Sequence, residues 1–240
     1  MAEAAAQATT TKKSVMKQKK LVPLVAGALL AAAGGSAAAL DLKPDGIAVH
    51  GSIGTNTARM AGVGLIWDWE WEVLRRKAAI TGQTEWMINR WQADDFGGGH
   101  QGFTQVVLLP TVRFELSQGR SPWFAELGVG VSYLDRHYLT PHRDFGSRWN
   151  FYDVIGVGHT FGAQRTHELT LRWVHVSNLG IREPNPGQDF VQVRYARRFC
   201  RAPPARAFLR PWSRTSDRCQ AASLQTGITR TRRRAGRSQH

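Results

Sequence analysis

The 240-residue sequence predicts an all-β fold, an eight-stranded antiparallel transmembrane β-barrel over residues 40–199. Three observations carry that expectation. Apolar and polar residues alternate with a period of two in one segment after another. The segments come to an even number, and several run to about 11 residues or more, enough to cross a bilayer when tilted. Eight of the nine tryptophans lie before Phe199, many near the ends of these segments, where an interfacial aromatic girdle sits.

From the N-terminus, Lys17, Lys19 and Lys20 precede the apolar run LVPLVAGALLAAAGG and the small-residue site Ala37 to Ala39. The run is shorter than the roughly 20 residues of a spanning helix, so residues 1–39 read as a secretory signal peptide cleaved before Leu40. Met16, directly before the basic cluster, is an alternative start for the same signal.

Strands are expected at 46–54, 60–74, 79–92, 104–116, 122–135, 148–162, 166–178 and 189–199. Turn-rich gaps separate them, notably DDFGGGHQG, SQGRS, TPHRDFGS and EPNPGQ. In PWFAELGVGVSYL, Trp123, Ala125, Leu127, Val129, Val131 and Tyr133 share one face, and Glu126, Gly128, Gly130 and Ser132 share the other. In IWDWEWEVL, Trp67, Trp69 and Trp71 oppose Asp68, Glu70 and Glu72. A secreted soluble β-sandwich or lipocalin-like barrel would alternate too, but such a tryptophan row, bare in water, would need a partner that lipid supplies. Closing the sheet then satisfies every backbone group, which hydrocarbon cannot do.

The formal charge of +14 is concentrated at the termini: residues 200–240 carry +9 and residues 1–39 carry +4, leaving +1 for residues 40–199. The high basicity is therefore no argument for nucleic-acid binding by the barrel. Residues 200–240 have dispersed arginines and no sustained period, and are expected to be a disordered tail. Both cysteines, Cys200 and Cys219, fall in that tail, which excludes thiolate metal sites and disulfides from the barrel. The segment FVQVRYARRF ends at Phe199 like the closing strand by which outer-membrane barrels are recognised for assembly.

The stretch HVSNLGIREPNPGQD, from His175 to Asp189, stands apart from this pattern. Leu169, Leu171 and Trp173 continue in register to His175 and Ser177, which puts both on the lipid-facing side, and Asp189 shares the apolar parity of Val191, Val193 and Tyr195. Polar groups are costly there unless they pair. The two strands form an antiparallel hairpin, so residues flanking its loop become neighbours across the strands. A serine is unreactive by itself; His175 can take its proton, and Asp189 can hold the imidazole in the right tautomer. Asn178, Asn185 or the backbone N–H groups near Gly180 can donate to a developing oxyanion.

This hairpin, at the end of the penultimate strand of a small signal-bearing barrel, resembles the signature of the lipid A 3-O-deacylases, the PagL family. The resemblance covers residues 40–199 and is most specific from Trp173 to Phe190. It implies an outer-membrane esterase, working without cofactor, that removes the ester-linked 3-hydroxyacyl chain at position 3 of lipid A. The family's histidine and serine fall on His175 and Ser177, and its asparagines on Asn178 and Asn185. The family's glutamate falls on Asp189, whose side chain is one methylene shorter; Glu183 in the loop is the alternative carboxylate. The arginine-rich tail is a second departure, because it buries the assembly signal at Phe199. The implied partners are lipopolysaccharide as substrate and outer-membrane lipid, with the site toward the outer leaflet; a homodimer is left open. The segment DRHYLTPHRDFGSR is either a solvated loop or a grip on lipid A phosphates through Arg136, Arg143 and Arg148. Its histidines have no compact metal-ligand spacing. The rival readings are a non-catalytic structural or adhesive barrel and a lipid A acyltransferase.

Overall fold

The computed structural model describes residues 42–162 and 164–199. The signal peptide with its alternative start, the arginine-rich tail and both cysteines lie outside the described residues. The chain forms β1 (Gly46–Gly54), β2 (Arg59–Asp68), β3 (Val73–Leu74), β4 (Ala78–Asp94), β5 (His100–Leu116), β6 (Trp123–Leu134), β7 (Trp149–Phe161), β8 (His167–Ser177) and β9 (Gln188–Arg198). Apart from the two-residue β3, these are eight long strands, each antiparallel to its neighbours. β1 pairs with both β2 and β9, and β2 pairs with β4, so the sheet closes on itself. No strand of the ring is left with an open edge, as a hydrocarbon surround requires.

The period-two pattern sorts the side chains. On β8, Glu168, Thr170, Arg172, Val174 and Val176 are buried in the barrel, and Leu169, Leu171 and Trp173 face outward half-exposed. On β6, Trp123 and Leu127 are exposed on the face opposite the buried Glu126 and Ser132.

One expected strand is corrected. Residues 60–74 do not form a continuous strand: β2 stops at Asp68, and only Val73 and Leu74 pair again, with Ile80 and Ala79. Asp68 is fixed from two directions, its N–H bonding Asp45 Oδ2 at 2.9 Å and its carboxylate Arg198 at 2.6 Å. The chain then turns back over β4. Trp69 lays its ring on outward-facing Gly82, where no side chain opposes it, donates to Thr84 Oγ1 at 2.9 Å and packs against Trp71. The tryptophan row is thus a folded cluster at a strand end. A second difference is length: β4 and β5 each hold 17 residues, because the DDFGGGHQG gap shrinks to a turn at residues 95–99.

The interior is filled at two levels. In the middle, Glu85 bonds Arg172 at 3.3 Å and Arg194 at 3.1 Å; Glu126 bonds Arg172 at 2.5 Å; Glu168 bonds Arg113 at 2.8 Å and Arg198 at 3.2 Å. With Asp68, this sets four carboxylates against four guanidiniums across six strands. Nearer the end that carries the long loops, Trp91, Phe103, Tyr138, Phe145 and Phe190 form an aromatic plug. Trp91 meets Phe190 edge-on at 4.8 Å, a geometry worth roughly 0.5–1.5 kcal/mol beyond the area buried. Two plug residues, Tyr138 and Phe145, come from the loop between β6 and β7, and burial pushes the Tyr138 hydroxyl up to about 12, so it stays protonated and donates to Gln188. Phe190 and Gln188 flank Asp189, so the plug fixes the start of β9.

Candidate active site

His175 lies two residues before the end of a strand whose outward face is Leu169, Leu171 and Trp173. The β8–β9 register makes Asp189 its direct partner across the strands, and Nδ1 of His175 lies 2.7 Å from Asp189 Oδ1. That distance suits a charge-assisted hydrogen bond, with Nδ1–H donating to the carboxylate. The short aspartate reaches the imidazole because the register sets it directly opposite. Two further contacts fix the ring. Trp173 stacks on it at 5.7 Å with the planes 18° apart. On the loop side is Gly187, at φ +67°, where a Cβ would come within 2.7 Å of His175 Cε1. Any larger residue there would be strained and would push the imidazole away.

Ser177 follows on the same face, opposite Phe151 of β7, and is 4% exposed beneath the loop at residues 178–187. Among the described residues no hydrogen bond joins its hydroxyl to His175; such bonds commonly tighten only when substrate binds. The loop above is held by its own amides. Asn178 N–H donates to Asn185 Oδ1 at 3.0 Å, Gly180 N–H donates to Asn178 Oδ1 at 3.0 Å, and Asn178 Nδ2 donates to the Arg182 carbonyl at 2.8 Å. Asn178 and Gly180 therefore spend their donors inside the loop. Asn185 accepts through Oδ1, which leaves its Nδ2 hydrogens available at the loop edge.

The loop between β6 and β7 braces this one. Gly146 N–H donates to the Pro184 carbonyl at 2.6 Å, and Arg143 Nη1 donates to the Pro186 carbonyl at 2.8 Å. Arg148 bonds the carbonyls of Leu134 and Asp135 and lies over Tyr133. Of the three arginines that offered a grip on phosphates as the alternative to a solvated loop, Arg143 and Arg148 are thus engaged with backbone, and Arg136 is exposed near Asp135 and Phe103. Glu183 is exposed at the loop crest, and the carboxylate on His175 is that of Asp189.

The structure adds one residue that the sequence reading missed. Asp153 of β7 pairs with His175 from the side opposite Asp189, so the imidazole stands between two carboxylates. Oδ1 of Asp153 is buried without a hydrogen-bond partner. A signal was present in FYDVIGV, where Asp153 interrupts the outward parity of Phe151, Ile155 and Val157. Its relation to His175 needed the β7–β8 register.

The model of the lipid A 3-O-deacylase (PagL) family matches residues 59–198. The chain belongs to that family. It is 29% identical over 136 residues to the lipid A deacylase PagL of Pseudomonas aeruginosa, covering 55% of this chain and 74% of the relative. To the lipid A deacylase PagL of Bordetella bronchiseptica it is 38% identical over 77 residues, covering 32% of this chain and 42% of the relative. The crystal structure of the outer membrane enzyme PagL superimposes with a TM-score of 0.55 at 22% identity, covering 64% of this chain and 99% of the solved one, which shows the shared barrel fold. The protein is accordingly a closed β-barrel enzyme of the lipid A 3-O-deacylase family.

Proposed function

We propose that this barrel hydrolyses the ester-linked 3-hydroxyacyl chain at position 3 of lipid A by a serine mechanism, from the outer leaflet. The observation that carries the reading is the 2.7 Å contact between His175 Nδ1 and Asp189 Oδ1 on the outward face, where an ion pair without a task is costly. The site lies at the end bearing the two longest loops, residues 135–148 and 178–187, and in outer-membrane barrels the longer loops are extracellular. Lipid A enters laterally from the membrane, its acyl chain running down the apolar face past Trp173, Leu171 and Val191.

Ser177 Oγ attacks the ester carbonyl while its proton passes to Nε2 of His175. Asp189 holds Nδ1–H and stabilises the imidazolium, with Trp173 over the ring face and Asp153 beside it adding to the same effect. The tetrahedral oxyanion accepts from Asn185 Nδ2, the free donor nearest the loop edge; Asn178 and Gly180 hold that amide in orientation. Collapse of the intermediate breaks the bond to the sugar 3-oxygen, which takes the proton from His175. Water, deprotonated by His175, then attacks the acyl-serine, releasing the 3-hydroxy fatty acid and restoring Ser177. Exposed Arg136, beside Asp135, is the member of its trio not engaged with backbone and is the one that meets a lipid A phosphate.

The test is mass spectrometry of lipid A from Gram-negative cells expressing the chain, with the Ser177→Ala form alongside. Loss of one hydroxyacyl mass only with the intact serine is expected. Equal loss with Ser177→Ala, or transfer of the chain to a second lipid, would refute the mechanism.

A further inference from the structure

On six of the eight long strands the outward face changes from apolar to polar toward the end that carries the long loops. Moving toward the long-loop end, Ile155 gives way to Asp153 on β7, Trp173 to His175 on β8 and Val191 to Asp189 on β9. On the far side Ala61 gives way to Arg59 on β2, Ile88 to Arg90 on β4 and Val106 to Thr104 on β5. In the ring of strands β4 stands four places from β8, directly across the barrel. The boundary row therefore bears acids and a histidine on one side and arginines on the other.

The two arginines are held differently from those inside. Arg113, Arg172, Arg194 and Arg198 are each paired with carboxylates in the interior. Arg59 and Arg90 are exposed, and among the described residues no carboxylate lies within ion-pair distance of either. Asp94, the acid nearest along β4, is turned to His100 at 3.3 Å and His142 at 3.9 Å. Arg90 is also seated: it lies flat over Gly102, where any Cβ would collide with its Nη2, and Nη1 donates to Thr104 Oγ1 at 3.0 Å. Arg59 pairs with Gln92 and Ala61 with Arg90, which makes the two arginines diagonal neighbours, roughly 7–8 Å apart at the backbone.

Two uncompensated guanidiniums beside hydrocarbon call for an anion, and a planar fork with free donors suits phosphate. We propose that Arg59 and Arg90 seat the phosphate of a second, non-substrate lipid A molecule on the face opposite His175. The proposal rests on the outward orientation given above, since lipid A supplies phosphate at this boundary in the outer leaflet.

The full chain carrying Ser177→Ala, folded in dodecyl maltoside micelles, is mixed with bis-phosphorylated lipid A or the same lipid stripped of phosphate, and the lipids retained per barrel are counted by native mass spectrometry. Two phosphorylated lipids are expected on the Ser177→Ala chain and one after adding Arg59→Gln and Arg90→Gln, the second weakened on the order of tenfold to thirtyfold. Gly102→Val keeps both charges but occupies the seat of Arg90, and is expected to weaken the same lipid, which keeps the test standing if the glutamine variant folds poorly. Unchanged retention in both variants, or equal loss of the stripped lipid, would overturn the seat. Deacylation by the otherwise unaltered chain is scored separately: normal hydrolysis with arginine-independent retention removes only the second site, and arginine-dependent retention without hydrolysis removes only the esterase reading.

Discussion

Arg172 and His175 stand three residues apart on β8, one pointing into the barrel and one out, and they are held in opposite ways. Arg172 is fully buried between Glu85 and Glu126, in a network where every arginine has a carboxylate. His175 has one short hydrogen bond to Asp189, one stacked ring and an open side toward lipid. The inner network is balanced in charge and closed to solvent, and it ties six strands together. The outer row is sparse and part-exposed, which is the condition for reaching something else. On the proposed function, the same strand separates stability from catalysis by parity.

The comparison breaks most sharply at Ser177 and His175. Replacing either with alanine leaves the barrel folded, as read by its heat-modifiable migration on gels, and lowers deacylation by on the order of 10³-fold or more. Next is Asp189→Asn, which keeps the shape but loses the charge that fixes the imidazole; a drop of roughly 10²–10⁴ in kcat is expected, with Asp189→Glu retaining activity. If Asp189→Asn is harmless, Glu183 becomes the carboxylate to test. On the inner side, Glu85→Ala strands Arg172 and Arg194 without a counter-charge and should cost about 3–5 kcal/mol in barrel unfolding by denaturant, with the chemistry per folded molecule unchanged. The smallest effect sharpens the contrast: Asp153→Asn should slow deacylation by less than about tenfold, since it removes only a secondary carboxylate beside an imidazole already held by Asp189.

Sequence parity was sufficient to read the closed barrel, its inner and outer faces, and the part-exposed positions of His175 and Asp189, because a period of two leaves each side chain only two sides to choose from; Ser177, assigned by the same parity to the lipid face, is 4% exposed beneath the loop. It failed where that period stops. The segment from Trp67 to Trp71 alternates well but breaks at Asp68, where Asp45 and Arg198, distant in sequence, capture the chain end. Asp153 escaped notice because its neighbour is set by register between β7 and β8, which one strand cannot report. The division of labour among Asn178, Gly180 and Asn185 is likewise a matter of loop geometry: three residues that look equivalent as donors become two that build the loop and one with hydrogens to spare. Arg143 and Arg148 were read as cations, and the fold employs them as donors to carbonyls.

Ser177 is proposed as a nucleophile made reactive by His175 and Asp189 at the loop end of β8. Labelling the folded barrel with a fluorophosphonate and mapping the adduct by peptide mass spectrometry tests it directly. One adduct per chain is expected on Ser177, lost in His175→Ala and much slowed in Asp189→Asn. An adduct on another residue, or none on Ser177 while the barrel still deacylates lipid A, would contradict it.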